Sequence, residues 1–512
     1  MRSTPSQKIA TLSEKNWIWL LTLGAILIAW RVMYIQHGWI NDDSVLYFEV
    51  ARLFAVGEYQ TGLSHYNWAL YPALIAALHL ITGYSLQLSA QLLNVVFFAT
   101  TTYSFLALIQ TAGGDKRTLL CGAALLFSTT YIVGDVLPML LRDEGFWAFY
   151  LASIYFFIQY YRHQTLSAAL LWQVCAIIAI LFRVEAFTFF AVLPLIFLVT
   201  QKRAGLKSWI IAQSLGIAVA LLTLLAFMLY PHLSSADFGR LSELVTVFER
   251  GYLNITEGFN AKAEIIATQV MGSFLDDYSM LVLVSGLIAI LAHKCLLSAG
   301  WVTIGLIGLK YKQCKAAIAN DALTVFIWVM ALAVLNAVMI LTNVFLLSGR
   351  YIASLGFILL ILAAFCLDYF LKQPKKWLDY MVLGVMLVAL AFGFITNLVP
   401  KKPGYNYEQE AVAWVKQHTN TDAVFYVSPR ARYYADVPFQ SRGYDYWDFT
   451  KKSISDGSIY QYAVLVINLD KDNPSHKKEK WLSKQLPEYR LVHSVYGYKK
   501  RKRILIYLKQ PS

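Results

Sequence analysis

Residues 41–58 read Asn-Asp-Asp-Ser-Val-Leu-Tyr-Phe-Glu-Val-Ala-Arg-Leu-Phe-Ala-Val-Gly-Glu and directly follow the first long apolar segment of the chain. The run opens with two adjacent carboxylates, Asp42 and Asp43, although only 15% of the chain is charged. Adjacent carboxylates repel each other and resist burial, so at a membrane face they indicate a functional task or full solvation. A second acidic pair, Asp143-Glu144, begins a later apolar segment. We expect the two pairs to face one another across an active site on the outer side of a membrane.

The composition places the chain among helical membrane proteins. Hydrophobic residues make up 58% of the 512 residues, more than an average soluble protein contains. Apolar stretches of about 20 residues recur over the first four-fifths of the chain, and each can cross a hydrocarbon core of about 30 Å. We predict a transmembrane domain over residues 1–398, with about eleven or more transmembrane helices.

Basic residues predict the orientation of the chain in the membrane. Lys8 and Lys15 precede the first apolar segment, roughly Trp17 to Ile35, and no small-residue cleavage site follows it. This pattern indicates a retained helix with a cytoplasmic N-terminus. The later basic clusters are typical of cytoplasmic loops, which puts both acidic pairs outside. These clusters are residues 115–117, 161–163, 201–203, 310–315 and 372–376.

Two segments of the first outer loop are predicted to lie along the membrane surface. Residues 44–56 alternate apolar and charged side chains at helical spacing. Residues 68–82 are apolar but too short to cross a bilayer, and Pro72 and His79 interrupt them.

Another apolar segment, residues 278–309, lies much later in the chain. It is too long for one span, and we interpret it as one crossing plus an interfacial piece.

Residues 399–512 are predicted to form a small extracytoplasmic α/β domain behind a linker at residues 400–404. Residues 408–418 have helical character, whereas residues 423–427, 462–467 and 503–508 are rich in β-branched and aromatic side chains, as strands are.

The predicted C-terminal domain is strongly basic. It holds 20 Lys and Arg against 11 Asp and Glu, a net charge of +9. Such a surface suits membrane lipids with anionic headgroups or an acidic acceptor. A domain tethered outside the cytoplasm does not meet nucleic acid, so we expect no nucleic-acid partner.

Three short stretches resemble membrane glycosyltransferases of the GT-C fold. DDSVLYFEVARLFAVGE, from residue 42, resembles their first outer loop, and RDEGFWAFYLASIYFF, from residue 142, resembles their second acidic motif. SGRYIASLGFILLILAAF, from residue 348, resembles their late Arg-Tyr helix. Within that fold the chain resembles bacterial relatives of protein O-mannosyltransferases and of aminoarabinose transferases that modify lipid A. The resemblance implies a polytopic α-helical GT-C catalytic domain with a small α/β domain, a polyprenyl-phosphate-linked sugar donor and inversion at the anomeric carbon.

The chemistry of such a transfer needs two kinds of side chain. A carboxylate must take the proton of the acceptor hydroxyl, and cations or hydrogen-bond donors must stabilise charge on the departing lipid phosphate. We predict that Asp42 or Asp43 is the base. Asp143 would position the acceptor or help hold a shared proton, and Glu144 beside it is predicted to be catalytic as well.

The predicted substrate-binding residues lie near the same outer face. Three arginines are candidates for the lipid phosphate, since guanidinium groups bind phosphate with two hydrogen bonds. His65 is a weaker candidate, and the resemblance adds one tyrosine from each of two motifs. The set is Arg142, Arg183, Arg350, Tyr351, His65 and Tyr47. We expect no cofactor, although carboxylate pairs also bind Mg²⁺ or Mn²⁺, which leaves a divalent metal open.

Each candidate also has a purely structural interpretation. Aspartate is a favoured N-cap residue, so either acidic pair could cap a helix, the second one a helix starting near Phe146. Arg183 and Glu185 could form a neutralised pair in a tight turn, and Arg350 could extend to the membrane interface. Asp276-Asp277 fits a solvated loop. Asn254-Ile255-Thr256 fits a glycan acceptor pattern.

The function predicted is transfer of a sugar from a polyprenyl-phosphate donor to an acceptor hydroxyl outside the cytoplasm. The acceptor would be an envelope glycan, a lipid or a protein, and the enzyme would reside in the cell (inner) membrane. The alternative is a multi-pass transporter or lipid flippase. Those proteins place ionisable groups near the bilayer midplane in repeated halves. Here the acidic pairs lie at the ends of apolar segments and no internal repeat is visible.

Overall fold

A computed structural model gives the structure of the protein. It describes residues 14–36, 38–201, 204–229, 253, 257–272, 274–374, 376–400, 404–419, 425–427, 429–437, 446–470, 477–500 and 502–510. The sequence pattern Asn254-Ile255-Thr256 lies outside the described residues, as do Lys8 and parts of the predicted loop 201–203 and linker 400–404.

Contacts divide the chain into two compact units. The membrane unit comprises Met1–Trp30, Leu92–Leu137 and Arg142–Leu398, and the loop–tail unit comprises Arg31–Gln91, Pro138–Leu141 and Val399–Ser512. The loop–tail unit thus combines the first predicted outer loop, near residues 37–84, with the C-terminal region. The predicted domain boundary after residue 398 stays a prediction.

The architecture is predominantly helical, with 22 α-helices among the described residues. In chain order they are α1 Glu14–Ile35, α2 Asp42–Ala55, α3 Tyr59–His65, α4 Leu70–Thr82, α5 Leu86–Thr111, α6 Lys116–Ser128, α7 Asp143–His163, α8 Leu166–Phe182, α9 Ala186–Val192, α10 Ile196–Thr200, α11 Gly205–Ala212, α12 Ser214–Leu229, α13 Phe259–Gln269, α14 Ser279–Ala299, α15 Trp301–Cys314, α16 Asn320–Val344, α17 Gly349–Lys372, α18 Trp377–Leu398, α19 Tyr407–His418, α20 Pro429–Ala435, α21 Tyr446–Ser455 and α22 Lys477–Gln485.

The long apolar helices make this an integral membrane protein. Within the described ranges, six helices are long and apolar enough to cross a membrane, or up to eight if two bent helix pairs each count as one span. The bent pairs turn by 46° after Ser128 and by 64° after Ala212. The six are α1, α5, α14 with the short turn before it, α16, α17 and α18. The predicted polytopic helical class is confirmed, whereas the count of about eleven or more stays a prediction.

The first-loop segments form the predicted helices, but neither acidic pair supplies the N-cap of its helix. Helix α2 begins at Asp42 because the side chain of Asn41 caps it, accepting a hydrogen bond from the Asp43 amide at 3.0 Å. Asp42 and Asp43 therefore lie in the first turn and do not cap the helix. Likewise α7 begins at Asp143 itself, not near Phe146.

Residues 278–309 divide at a glycine. Gly300 has a φ of +80°, a conformation that interrupts a helix and that residues with a side chain rarely adopt. Helix α14 ends before it and α15 begins after it. Asp276 and Asp277, which precede α14, are both exposed, in agreement with the predicted solvated loop.

The C-terminal region folds around a four-stranded mixed sheet in the order β1-β2-β4-β3. Strand β2 pairs in parallel with β1 and antiparallel with β4, and β3 closes the other side of β4. The strands are β1 Phe425–Val427, β2 Val464–Asp470, β3 Tyr489–Tyr496 and β4 Lys502–Lys509. This confirms the predicted small α/β domain and the three predicted strands, to which β3 is added.

Both faces of this sheet are covered, because alternate side chains of a strand point to opposite sides. On one face Val464 and Val466 pack with apolar residues of α19 and α20. On the other face Leu465 and Ile467 pack with residues of the helical segments that flank β2, such as Leu482 of α22. The central strands β2 and β4 are therefore almost continuously apolar, as strands covered on both sides are.

Candidate functional site

In the membrane unit, the second acidic pair lies where α7 and the end of α8 approach closely. Gly145 follows Asp143-Glu144, and a Cβ atom at this position would collide with the ring of Phe182 at the end of α8. The absent side chain lets the first turn of α7 pack against that ring. Arg183, the residue after Phe182, consequently reaches the carboxylate of Asp143.

Asp143 is the centre of a buried ion cluster. Its Oδ1 pairs with Nη1 of Arg183, and its Oδ2 lies 3.4 Å from Nη1 of Arg350. The side chains of Asp143 and Arg183 are only 2% and 4% exposed, whereas Arg350 is 27% exposed. Both oxygens of Asp143 thus face arginines, and Arg350 is the arginine that solvent reaches more.

Arg183 makes further contacts that fix its orientation. Its Nε and Nη2 donate to the two carboxylate oxygens of Glu185 at 3.3 and 3.0 Å. Its guanidinium also lies 4.3 Å from the ring centroid of Tyr351, a cation–π contact. The backbone carbonyl of Glu185 accepts a hydrogen bond of 2.9 Å from Asn336 of α16. The neutralised pair of Arg183 and Glu185 is thus present, and phosphate binding by Arg183 stays a prediction.

Arg350 and Tyr351 lie in the first turn of α17. Gly349 begins this helix, and a Cβ atom at Gly349 would come within 2.5 Å of the ring of Tyr131. No side chain larger than hydrogen fits there without displacement of that ring. The close approach explains why glycine precedes the arginine that reaches Asp143.

Glu144 and Arg142 flank Asp143 with different surroundings. Glu144 is completely buried, and neither of its carboxylate oxygens has a hydrogen-bond partner among the described residues. Burial of a polar group without a partner is costly and is often retained for a ligand or a functional task. Arg142 is half-buried at the position before α7.

In the loop–tail unit, the first acidic pair meets a residue of the C-terminal region. Asp42 is 45% exposed, and its Oδ1 lies 3.6 Å from Nε of Arg430 in α20. Arg430 is 13% exposed and also pairs with Glu408 of α19, which is 5% exposed. Burial lowers the pKa of the Arg430 guanidinium, but the charges of Glu408 and Asp42 outweigh it and raise that pKa above its usual value.

Two other predicted residues of the loop–tail unit lie in aromatic or partly exposed surroundings. Tyr47 is buried, with its ring 5.4 Å from those of both Tyr66 and Tyr71. These contacts are typical of core packing. His65 is half-buried at the end of α3. Substrate binding by Tyr47 and His65 stays a prediction.

A cavity of about 430 Å³ lies along α2 within the same unit. Glu49 is one of its lining residues and lies about two helical turns after Asp42, on the same side of α2. The lining residues are Val45, Phe48, Glu49, Arg52, Leu86, Arg432, Tyr433, Asp436 and Val437. Among the residues that the structure describes, no three His, Cys, Asp or Glu side chains are grouped to hold a metal ion.

Sequence reasoning found the first-turn residues of α2, α7 and α17 but missed their distant partners. Arg430 and Glu408 carried no signal of their own, because they stand in a basic, polar region without a motif. Glu185 was predicted, but only as the partner of Arg183 in a tight turn and not as part of the cluster around Asp143. Pairing between such distant positions requires the three-dimensional structure.

Comparison with solved structures identifies the fold. ArnT from Cupriavidus metallidurans bound to undecaprenyl phosphate matches with a TM-score of 0.52 at 11% sequence identity, over 96% of this chain and 98% of ArnT. The same protein in the apo state matches with a TM-score of 0.55 at 13% identity over the same shares. No family model and no curated protein sequence matches. The chain has the aminoarabinose-transferase-like GT-C fold over nearly its whole length.

Proposed function

We propose that this protein is a membrane glycosyltransferase that moves a sugar from a polyprenyl-phosphate donor to an acceptor hydroxyl. The observation that carries the proposal is the fold, which is shared with ArnT over 96% of the chain. One of the two ArnT structures is a complex with undecaprenyl phosphate, the lipid part of such a donor. The acceptor is a glycan, lipid or protein of the cell envelope.

The reaction needs no redox partner. The acceptor oxygen forms a bond to the anomeric carbon while the bond from that carbon to the phosphate oxygen breaks. The departing lipid phosphate keeps the electron pair, and the acceptor proton passes to a carboxylate. Attack opposite to the leaving group inverts the anomeric carbon.

The base in this proposal is Asp42 or Asp43. Both lie in the first turn of a helix whose cap is supplied by Asn41, so neither carboxylate is needed to cap α2. The 45% exposure of Asp42 leaves its oxygens accessible to a substrate hydroxyl. A positioned general base contributes about two to four orders of magnitude to a rate.

The donor phosphate is assigned to the cluster around Asp143. Arg350 is the more accessible of its two arginines, at 27% exposure against 4% for Arg183. Guanidinium groups bind phosphate oxygens with short charge-assisted hydrogen bonds. Glu144, buried next to this cluster, is assigned to hold an acceptor or share a proton.

The proposal places the reaction on the extracytoplasmic side of the cell (inner) membrane, as the basic loop residues predict. Membrane lipids surround the apolar helices and anionic headgroups attract the basic C-terminal region. No cofactor is required, although Mg²⁺ or Mn²⁺ at the carboxylates is compatible with the same chemistry.

The test is analysis of polyprenyl-phosphate lipids by mass spectrometry in cells that lack the protein. The unused donor should accumulate, and its mass identifies the sugar. Purified protein in lipid nanodiscs should then transfer that sugar from the isolated lipid to an envelope extract. Absence of both accumulation and transfer would contradict the proposal and favour the transporter.

A matched pair of variants sharpens this experiment. The double variant Asp42→Asn with Asp43→Asn should be inserted normally and accumulate the same lipid as the deletion. The double variant Asp276→Asn with Asp277→Asn changes an exposed acidic pair of equal charge and should behave as wild type. Equal accumulation of the donor lipid in the two double variants would contradict the assignment of the base.

A further inference from the structure

The C-terminal region of the loop–tail unit supplies a charged partner to the first turn of α2. Nε of Arg430 lies 3.6 Å from Oδ1 of Asp42, within range of an ion pair. The exposed fractions of the side chains rise from Glu408 (5%) through Arg430 (13%) to Asp42 (45%). The three groups therefore form a row that runs from the interior of the unit to its surface.

Glu408, at the inner end of this row, accepts hydrogen bonds on both of its carboxylate oxygens. Asn468 of β2 donates from Nδ2 to Oε1 of Glu408 at 2.8 Å, and the hydroxyl of Tyr407 donates to the same oxygen at 3.4 Å. Glu408 pairs through its other oxygen with Nε of Arg430. A carboxylate held by three donors has little freedom, so it fixes the guanidinium in turn.

The backbone before Asp42 is fastened to the same helix that carries Arg430. The hydroxyl of Tyr434 accepts a hydrogen bond from the Ile40 amide and donates to the Gly38 carbonyl, both at 3.2 Å. The neighbouring Tyr433 donates to Gln87, whose amide nitrogen donates to the Gly38 carbonyl. Helix α20 thus holds both the backbone that leads into α2 and the carboxylate in its first turn.

We propose that Arg430 is a positioning residue for Asp42, and that Glu408 and Asn468 orient Arg430 for that task. The inference rests on the proposed function, in which Asp42 belongs to the pair that supplies the base. A contact to the guanidinium restricts the side-chain torsions of an otherwise exposed aspartate. One carboxylate oxygen faces Arg430, and the other is left for the acceptor hydroxyl.

The alternative role for Arg430 is to stabilise the C-terminal region through Glu408 alone. In that case Asp42 is a bystander of the ion pair, and loss of Arg430 affects folding but not turnover. The two roles differ in how they affect kcat and KM. Misplacement of a catalytic group by about 1 Å lowers the rate of the chemical step by about 100-fold without a comparable effect on donor binding.

The experiment measures kcat and donor KM for Arg430→Gln, Arg430→Lys and Asp42→Asn, and for the double variant Asp42→Asn with Arg430→Gln. We expect Arg430→Gln to lower kcat by about 10- to 100-fold with donor KM little changed. Arg430→Lys should recover part of the loss, since it keeps the charge but not the planar fork. The double variant should be no slower than Asp42→Asn alone, because the arginine acts only through Asp42.

The matched control is Lys416→Gln. Lys416 pairs with Asp436 in the same unit, but both side chains are well exposed, so kcat should stay at the wild-type value. Should Arg430→Gln fail to fold, Arg430→Lys and Glu408→Gln decide between the two roles. Arg430→Lys keeps a cation beside Asp42, and Glu408→Gln keeps a hydrogen-bonding group beside Arg430. A wild-type kcat in these folded variants, or losses that multiply in the double variant, overturns the inference. Absence of transfer by the wild-type protein contradicts the proposed function instead.

Discussion

Arg350 contacts the carboxylate of Asp143 across 207 positions of sequence, with Nη1 3.4 Å from Oδ2. The contact joins the first turns of α7 and α17, and Arg183 binds the other oxygen of the same carboxylate. The two arginines have different environments, because Arg183 is nearly fully buried and Arg350 is 27% exposed. Their substitution should therefore have different consequences.

Substitution of Arg350 by alanine should weaken donor binding while the protein stays folded. A charge-assisted hydrogen bond to phosphate contributes about 1.5–3 kcal/mol, so the apparent affinity should fall about tenfold or more. Arg350→Lys should rescue only partly, because lysine lacks the bidentate fork. The measurement is donor titration of transfer by the purified variants.

The matched comparison is Arg183→Ala. Its removal leaves the half-buried Glu185 without its cation and the buried Asp143 with Arg350 alone, and breaking a buried ion pair in this way costs about 3–5 kcal/mol of folding free energy. We expect a lower unfolding temperature and poor recovery of this variant, with Arg183→Lys intermediate. An unchanged donor affinity in all four variants would mean that both arginines are structural and that Arg142, His65 or a bound metal holds the phosphate.

Single substitutions Asp42→Asn and Asp43→Asn should separate the base from its neighbour. The variant that removes the base should lose about two to four orders of magnitude in turnover, with expression and membrane insertion retained. The other variant should lose much less. The measurement is the initial rate at saturating donor, and near-normal turnover in both variants would exclude this mechanism.

The orientation of the chain can be tested with fused reporters. A reporter after Ser512 should be active outside the cytoplasm, whereas one at Arg117 should be active inside, as the basic loops predict. The readout is the ratio of two reporter enzymes that work on opposite sides of the membrane. A cytoplasmic signal after Ser512 would remove the C-terminal region from the outer side and with it the proposed site of reaction.

Asp115 should make stability dependent on acid pH. Burial opposes its ionisation, but the Thr118 amide and Lys372 lower the pKa of this carboxyl from 3.8 to about 2. A depressed pKa stabilises the folded state above the unfolded value, and this contribution is lost as the pH falls towards about 2. Asparagine keeps the N-cap but not the ion pair with Lys372.

The measurement for Asp115 is the unfolding temperature of wild type and Asp115→Asn in detergent between pH 6 and pH 2 (roughly the titration range of a carboxyl). Wild type should unfold at the higher temperature near pH 6, and the difference should shrink steadily on acidification. A difference that does not change with pH would show that the ion pair contributes nothing.

Metal dependence has a simple prediction. Transfer should be unchanged after treatment with a chelator, since guanidinium groups alone are expected to stabilise the departing phosphate. The measurement is the initial rate before and after chelation, with Mg²⁺ or Mn²⁺ added back as the control. A loss of activity that added metal restores would place a cation at the carboxylates.

Local patterns in the sequence predicted the parts of the fold that depend on near neighbours. Helix α2 could be predicted because its apolar side chains recur at helical spacing, and β2 and β4 because they are almost continuously apolar. Strand β3 could not, since it runs along the edge of the sheet and mixes Arg490, His493 and Ser494 with apolar residues. Such a strand has no distinctive period, and its pairing with β4 determines it.

The candidate site divides in the same way. Asp143, Arg350 and Tyr351 stand in short motifs at helix starts, which the sequence shows directly. Arg430 and Glu408 belong to no recognisable sequence motif, and only the tertiary structure brings them to Asp42. The roles assigned to all these residues stay predictions that the variants above can test.

The loop–tail unit has a consequence for how the protein is made. Its hydrogen bonds join residues up to 396 positions apart, such as Gly38 and Tyr434. At ribosomal rates of about 5–20 residues per second, roughly 20 to 80 seconds pass between synthesis of the first loop and of its C-terminal partners. During this interval Asp42 has no Arg430 beside it, so under the proposed role of Arg430 the reaction site is complete only after the C-terminal region has emerged. Ribosome stalling or truncation before residue 430 should therefore yield a membrane-inserted chain whose turnover is lowered at least as much as that of Arg430→Gln, so that such intermediates consume donor lipid slowly.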